Sequence, residues 1–172
     1  MIDPVIGANA TYMSELAKHY KAILQKKMGS TGKDLFDCVI TGGVLYSSFK
    51  VMGEGIIVAR FNYQAAFIFE RLPENLIDPR VIMATTTCWL LENDMDRKQQ
   101  NLASPKMDVE AYSNDDSTSL SDLEITIEFS EPILMKQAQG DNGDISYQGK
   151  TWNIEPYVIH TAESTRVLSG AS

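Results

Sequence analysis

Residues 122–135, DLEITIEFSEPILM, leave the rest of the chain the least freedom. Leu123, Ile125, Ile127 and Phe129 alternate with Glu124, Thr126, Glu128 and Ser130. A period of two sends the two sets to opposite faces of a strand, one apolar and one wet and acidic. β-Branched residues on both faces reinforce the strand preference. The other elements must then cover the apolar face or extend the sheet. The acidic face has no catalytic partner close in sequence, which points to a surface that meets water or other subunits.

Two helices are expected. Asn9 is read as the N-cap of the first, which runs to about residue 27 with Tyr12, Leu16, Tyr20 and Leu24 as its apolar stripe. Met13 and Ile23 widen that stripe, and Lys18, Lys21, Lys26 and Lys27 gather toward the end where the dipole favours cations. Asp78-Pro79 starts the second helix, with Asp as N-cap and Pro at the first helical position. It runs to about residue 93, with Val81, Ile82, Thr85, Trp89 and Leu90 as its apolar side.

Residues 35–40 and 44–51 read as two short strands separated by a Thr41-Gly42-Gly43 turn. A second turn at 52–55 leads to a long central strand, 56–72, with Phe61, Tyr63, Phe67 and Phe69 on one face. Residues 106–112 alternate Met107, Val109 and Ala111 with Asp108 and Glu110, repeating the acidic-out pattern of 122–135. Together these two make a hairpin with 113–121 as its tip. Asp141-Asn142-Gly143-Asp144 is a turn, followed by a small hairpin of 145–147 and 151–154 and an edge segment at 156–160. Residues 1–8 form an arm, 9–160 one domain and 161–172 a frayed tail. The grouping of helices and strands predicts an α+β fold: an antiparallel or mixed sheet with two helices on one face.

A length of 172 residues fits one domain, and a net charge of −8 with a pI near 4.7 argues against a surface that grips nucleic acid. It fits a wall that DNA passes without binding. Cys38 and Cys88 both lie in apolar runs and read as buried, reduced thiols. The first ten residues lack a basic region and a long apolar core, so no signal peptide is expected. No apolar run is long enough to predict a membrane span.

Candidate chemistry is thin. Residues 29–33, GSTGK, lack the spacing of a phosphate loop and follow a helix rather than a strand. Gly53-Glu54-Gly55 lacks the third glycine of a dinucleotide fingerprint. The Asp141–Asp144 turn lacks the ligand pattern and closing Glu of a calcium loop. His19 and His160 stand apart from other metal-ligating residues. No catalytic, cofactor-binding or metal-binding residue is therefore assigned. Asp108, Glu110, Glu124 and Glu128 pair carboxylates on a face expected to be exposed, and they are the candidate subunit-interface residues.

Four stretches in order carry a family resemblance: YMSELAKHYKAILQ, FNYQAAFIFERL, VIMATTTCWLLEND with Trp89-Leu90, and MDVEAYSNDDSTSLSDLEITIEFSEPILM. The chain resembles the phage tail completion protein R family of contractile-tailed, peduovirus-type phages and prophages. Where that pattern has a Thr-Glu-Arg-Val type ending, this chain has Ser130-Glu131-Pro132-Ile133. The resemblance implies a tail-terminator-like, non-enzymatic virion protein made in the host cytoplasm. It implies a homo-oligomeric ring, expected to be a hexamer, at the head-proximal end of the tail tube. Such a ring stops tube and sheath growth, joins the neck and lets DNA pass. The alternatives are another neck or head–tail joining protein, a tail assembly chaperone, or, in a different class, a small carboxylate-dependent enzyme.

Overall fold

The alternating stretch forms the longer strand β4 (Ser119–Gln137), in a computed structural model that describes residues 11–113 and 119–155. Along it Leu123, Ile125, Ile127 and Phe129 are buried while Glu124 is exposed. Its central neighbour is β2 (Gly55–Pro73), and the register sets Phe69 opposite Leu123, Phe67 opposite Ile125, Ala65 opposite Ile127 and Tyr63 opposite Phe129. Two apolar faces with the same period are thus locked in phase, and a slip of one residue would turn every one of these side chains to solvent.

β1 (Phe36–Met52) flanks β2, while β3 (Lys106–Ser113) and the hairpin of β5 (Ile145–Tyr147) and β6 (Lys150–Glu155) flank β4. Every pairing among the described residues is antiparallel. β3 covers the outer edge of β4 at one end and β6 covers it at the other. Between them the segment after the second helix closes the gap, where Arg97 Nη1 donates to the Glu128 carbonyl at 2.6 Å.

Both helices lie on the apolar face. α1 (Tyr12–Met28) buries Tyr12, Leu16, Tyr20 and Leu24, the expected stripe, with Met13 and Ile23 packed beside it. α2 (Pro79–Asn93) buries Ile82, Thr86, Trp89 and Leu90. Tyr20 meets Phe67 and Phe69 edge-on at 5.2 and 5.1 Å, and Tyr12 stacks on Phe129 at 5.7 Å with Trp89 against its edge at 5.9 Å. Each buried Phe, Ile or Leu contributes about 1.5–3 kcal/mol by leaving water. The Tyr20 hydroxyl is hydrogen-bonded to Thr86, and burial pushes its ionisation above the ordinary phenol value. Thr86 Oγ1 also lies 2.8 Å from the Ile82 carbonyl, so packing and side-chain back-bonding hold the threonine-rich turn of α2.

Several expectations are corrected. The N-cap of α1 is Thr11, not Asn9, which lies outside the described residues. Thr11 Oγ1 accepts from Ser14 N–H at 3.1 Å and Ser14 Oγ accepts from Thr11 N–H at 2.9 Å, a reciprocal cap. The loop at 29–33 is part of a 3-10 segment, Gly29–Leu35. The two short strands are one, because Thr41-Gly42-Gly43 is a bulge in the pairing with β2 rather than a turn. A Cβ on Gly43 would lie 2.5 Å from the Phe61 ring, so the missing side chain is where that ring rests. On α2 it is Thr86 that turns inward, while Val81 is 39% exposed. Cys88 is exposed and Cys38 half-buried, so neither thiol sits in the core. The arm at 1–8, the edge segment at 156–160 and the tail at 161–172 lie outside the described residues.

Candidate functional site

Three of the four carboxylates selected from sequence come together. On the face of the sheet away from the helices, Asp108 stands opposite Glu124, and Glu110 opposite Asp122. Asp108, Glu110 and Glu124 are exposed, and their carboxylates take part in no hydrogen bond or ion pair among the described residues. With Glu70 and Ile68 they line a shallow depression of about 300 Å³. Like charges directly across a strand pair repel, so this row weakens the isolated subunit. Asp122 is engaged locally, accepting from Arg71 N–H at 2.8 Å and Tyr112 O–H at 3.0 Å.

Glu128 does not join them. Its carboxylate accepts from Ala103 N–H at 3.0 Å and pins the segment that covers the edge of β4. Arg97 completes that seam. It donates to Ala103 O at 2.6 Å and pairs with buried Asp94 at 3.0 Å, with side-chain exposures of only 13% and 3%. Burial raises the Asp94 carboxyl above its ordinary range, against the lowering pull of Arg97.

Glu131 was not singled out by sequence reasoning. Its carboxylate lies inside the apolar layer, accepting Tyr12 N–H at 2.9 Å through one oxygen and Tyr63 O–H at 2.5 Å through the other. The Tyr63 hydroxyl in turn accepts from Met13 N–H at 3.3 Å. Burial raises the Glu131 carboxyl more than its two hydrogen bonds lower it. One oxygen serves the first turn of α1 directly and the other reaches it through the Tyr63 hydroxyl, at a helix end where N–H groups and the dipole favour a carboxylate. Its chemistry is that of an anchor. The signal was present: 123, 125, 127, 129 and 131 share one parity, so the alternation itself places Glu131 on the buried face.

The other missed feature is the far half of β1. Val44, Leu45, Tyr46, Phe49 and Val51 are each 52–66% exposed. They alternate across both faces of the β1–β2 hairpin, beyond the reach of the helices. No charged residue interrupts the strand between Asp37 and Lys50. A long uncharged edge strand with large apolar side chains in water is a binding surface or an aggregation hazard. Beside it, Gly42, Asn62, Gln64, Gln100 and Glu128 help to line an open cleft of about 460 Å³. Its polar side chains are amides, Tyr46, Tyr63, whose hydroxyl is bonded to Glu131, and one carboxylate already bonded to Ala103. Among the described residues no three His, Cys, Asp or Glu side chains are placed to hold a metal ion, and no helix is long and apolar enough to cross a membrane.

The described surface thus presents an exposed acidic row on β3 and β4 and an apolar half of β1, while Glu128 and Glu131 are bonded within the fold. The family model of P2 phage tail completion protein R (GpR) matches residues 15–156. A protein of Haemophilus phage HP1 (strain HP1c1), described as an uncharacterized 19.2 kDa protein of the rep-hol intergenic region, is 31% identical over 136 residues, spanning 78% of each chain. The chain belongs to the P2 phage tail completion protein R family.

Proposed function

We propose that this protein completes the tail by self-association, forming a ring at the head-proximal end of the tube that halts tube and sheath growth and offers a joint to the neck. Membership of a tail completion family places its role in phage tail assembly. The observation that carries the finer reading is the far half of β1, whose apolar side chains lie in water on both faces of a hairpin. Isolated subunits rarely leave so much contiguous apolar strand uncovered unless another chain covers it. A contact between two different patches closes into a ring when its rotation completes a circle.

Leu45→Ser and Phe49→Ser test the reading together. At 64% and 61% exposure these side chains contribute little to the fold, so thermal stability should change by less than about 0.5 kcal/mol. Assembly, followed by sedimentation and by imaging of tails, should fall by about tenfold or more. Unchanged assembly would remove β1 from the contact. Imaging also decides position: a subunit at the head-proximal end of the tube supports completion, whereas one on the neck side alone indicates a head–tail joining protein. A subunit absent from finished particles indicates a chaperone.

A further inference from the structure

We propose that neighbouring copies of this chain meet edge to edge, with the β1 and α1 side of one docking on the β3 side of the next. This rests on the ring reading above and names its contact. The uncovered surface is the β1 edge, uncharged between Asp37 and Lys50 and rich in exposed apolar side chains. Charge complementarity identifies its occupant.

The sheet register sets the two edges at the same height. One row runs Phe36, Phe69, Leu123, Val109 and the next runs Asp37, Ile68, Glu124, Asp108. At the β1 end of these rows stand the close of α1 and the 3-10 segment that feeds β1. They carry Lys21, Lys26, Lys27 and Lys33, none of which is in an ion pair among the described residues. Lys21 is near enough to Cys38 to act on its thiol. Asp34 and Asp37 are the acids there, so four lysines less two aspartates leave +2 on an edge of a chain whose total is −8. At the β3 end stand Asp108, Glu110 and Glu124, all exposed and in no ion pair among the described residues, with Val109 half exposed between the first two.

Charge also discriminates between pairings. Two β3 edges brought together would oppose carboxylates, and two β1 edges would bring the lysine groups together. Only the unlike pairing places lysines against carboxylates at the height of Asp37, and the register sets the far half of β1 level with β6, so the same contact brings its apolar side chains against the β6 end of the neighbouring edge. Such a contact is head-to-tail and propagates from copy to copy, as a ring requires. The acids on β3 also guard that strand against indiscriminate pairing.

The test uses the full chain, with assembly read by sedimentation and by imaging on tail tubes. Lys21→Glu with Lys26→Glu and Lys27→Glu forms one variant, and Asp108→Lys with Glu110→Lys the other. Each alone should weaken assembly about tenfold or more. Mixing the two should restore it, since every contact in an alternating ring is again between unlike charges. Carrying both sets in one chain should restore it as well. All these residues are at the surface, and circular dichroism and melting confirm the folded state. If a set lowers the melting point, the corresponding Gln and Asn substitutions are used, and they should weaken assembly by a smaller factor. Wild-type rings with both variants assembling normally would overturn the edge contact and leave the ring reading standing. A discrete two-subunit species of the wild type would also overturn it, as would failure of the mixture to recover. A wild type that neither self-associates nor joins tubes would overturn the ring reading itself.

Discussion

Glu131 fixes where α1 enters the fold. Its two oxygens take the Tyr12 N–H and the Tyr63 O–H, and removing them takes these acceptors from two buried donors. Glu131→Ala should therefore cost about 2–6 kcal/mol, at roughly 1–3 kcal/mol per donor that loses its acceptor. Glu131→Gln keeps an acceptor for Tyr12 and can donate to the Tyr63 oxygen, so it should cost about 1 kcal/mol or less at acid pH. The pH dependence separates the two roles of the carboxyl. Its folded value lies above the ordinary 4.5 because of burial, so the folded state holds the proton longer than the unfolded chain does. That contribution is complete below the unfolded value and is lost as pH rises through the raised one. Asp94 is raised by burial in the same direction and is present in both proteins, and its charge adds to the raising of Glu131, so the comparison reads the Glu131 carboxyl together with that coupling. Melting temperatures of Glu131→Gln and wild type, taken from pH 4 to 8, should show the variant gaining on the wild type as pH rises. A constant difference would mean that the carboxyl titrates as it does in the unfolded chain.

At the scale of elements, the 3-10 segment is held by close backbone approach. A Cβ on buried Gly32 would lie 2.7 Å from the Leu24 carbonyl oxygen, on a helix that cannot retreat from Phe67 and Phe69. Gly32→Ala should cost about 1–3 kcal/mol by overpacking, measured as a lower urea midpoint at unchanged slope. Period-two alternation made β2, β3 and β4 legible in the sequence, and Asp78-Pro79 marked the start of α2, because each signal acts within its own element. β1 was not legible as one strand. Gly42-Gly43 is a local turn signal, but β1 pairs with β2 on both sides of it, from Phe36 opposite Phe69 to Met52 opposite Gly55, and the pairing overrides it. Nor could spacing alone tell that the far half of β1 leaves the core, since its apolar residues occupy both parities. The grouping of Asp108, Glu110 and Glu124 followed from two hairpin strands sharing a parity. The separation of Glu128 depended on a segment between α2 and β3 whose course no periodicity encodes.

For the whole molecule, salt acts on assembly through two opposed terms. Every subunit carries a net charge of −8, so neighbours repel at long range, and added salt should relieve that repulsion and tighten association. A lysine edge against a carboxylate edge attracts at short range, and added salt should weaken it. Raising ionic strength from about 0.05 to 0.5 M shortens the screening length from roughly 14 to 4 Å. Repulsion summed over a whole subunit acts across tens of ångströms and is already half screened at the lower concentration. Contacts a few ångströms apart are not. Edge attraction should therefore govern the slope, and the association constant measured by sedimentation should fall as salt rises, by about tenfold over that range. It should level off rather than vanish, because the apolar side chains of β1 are indifferent to screening and hold a residual contact. Association that tightens steadily with salt would mean that net repulsion controls the assembly and that the two edges do not meet through their charges.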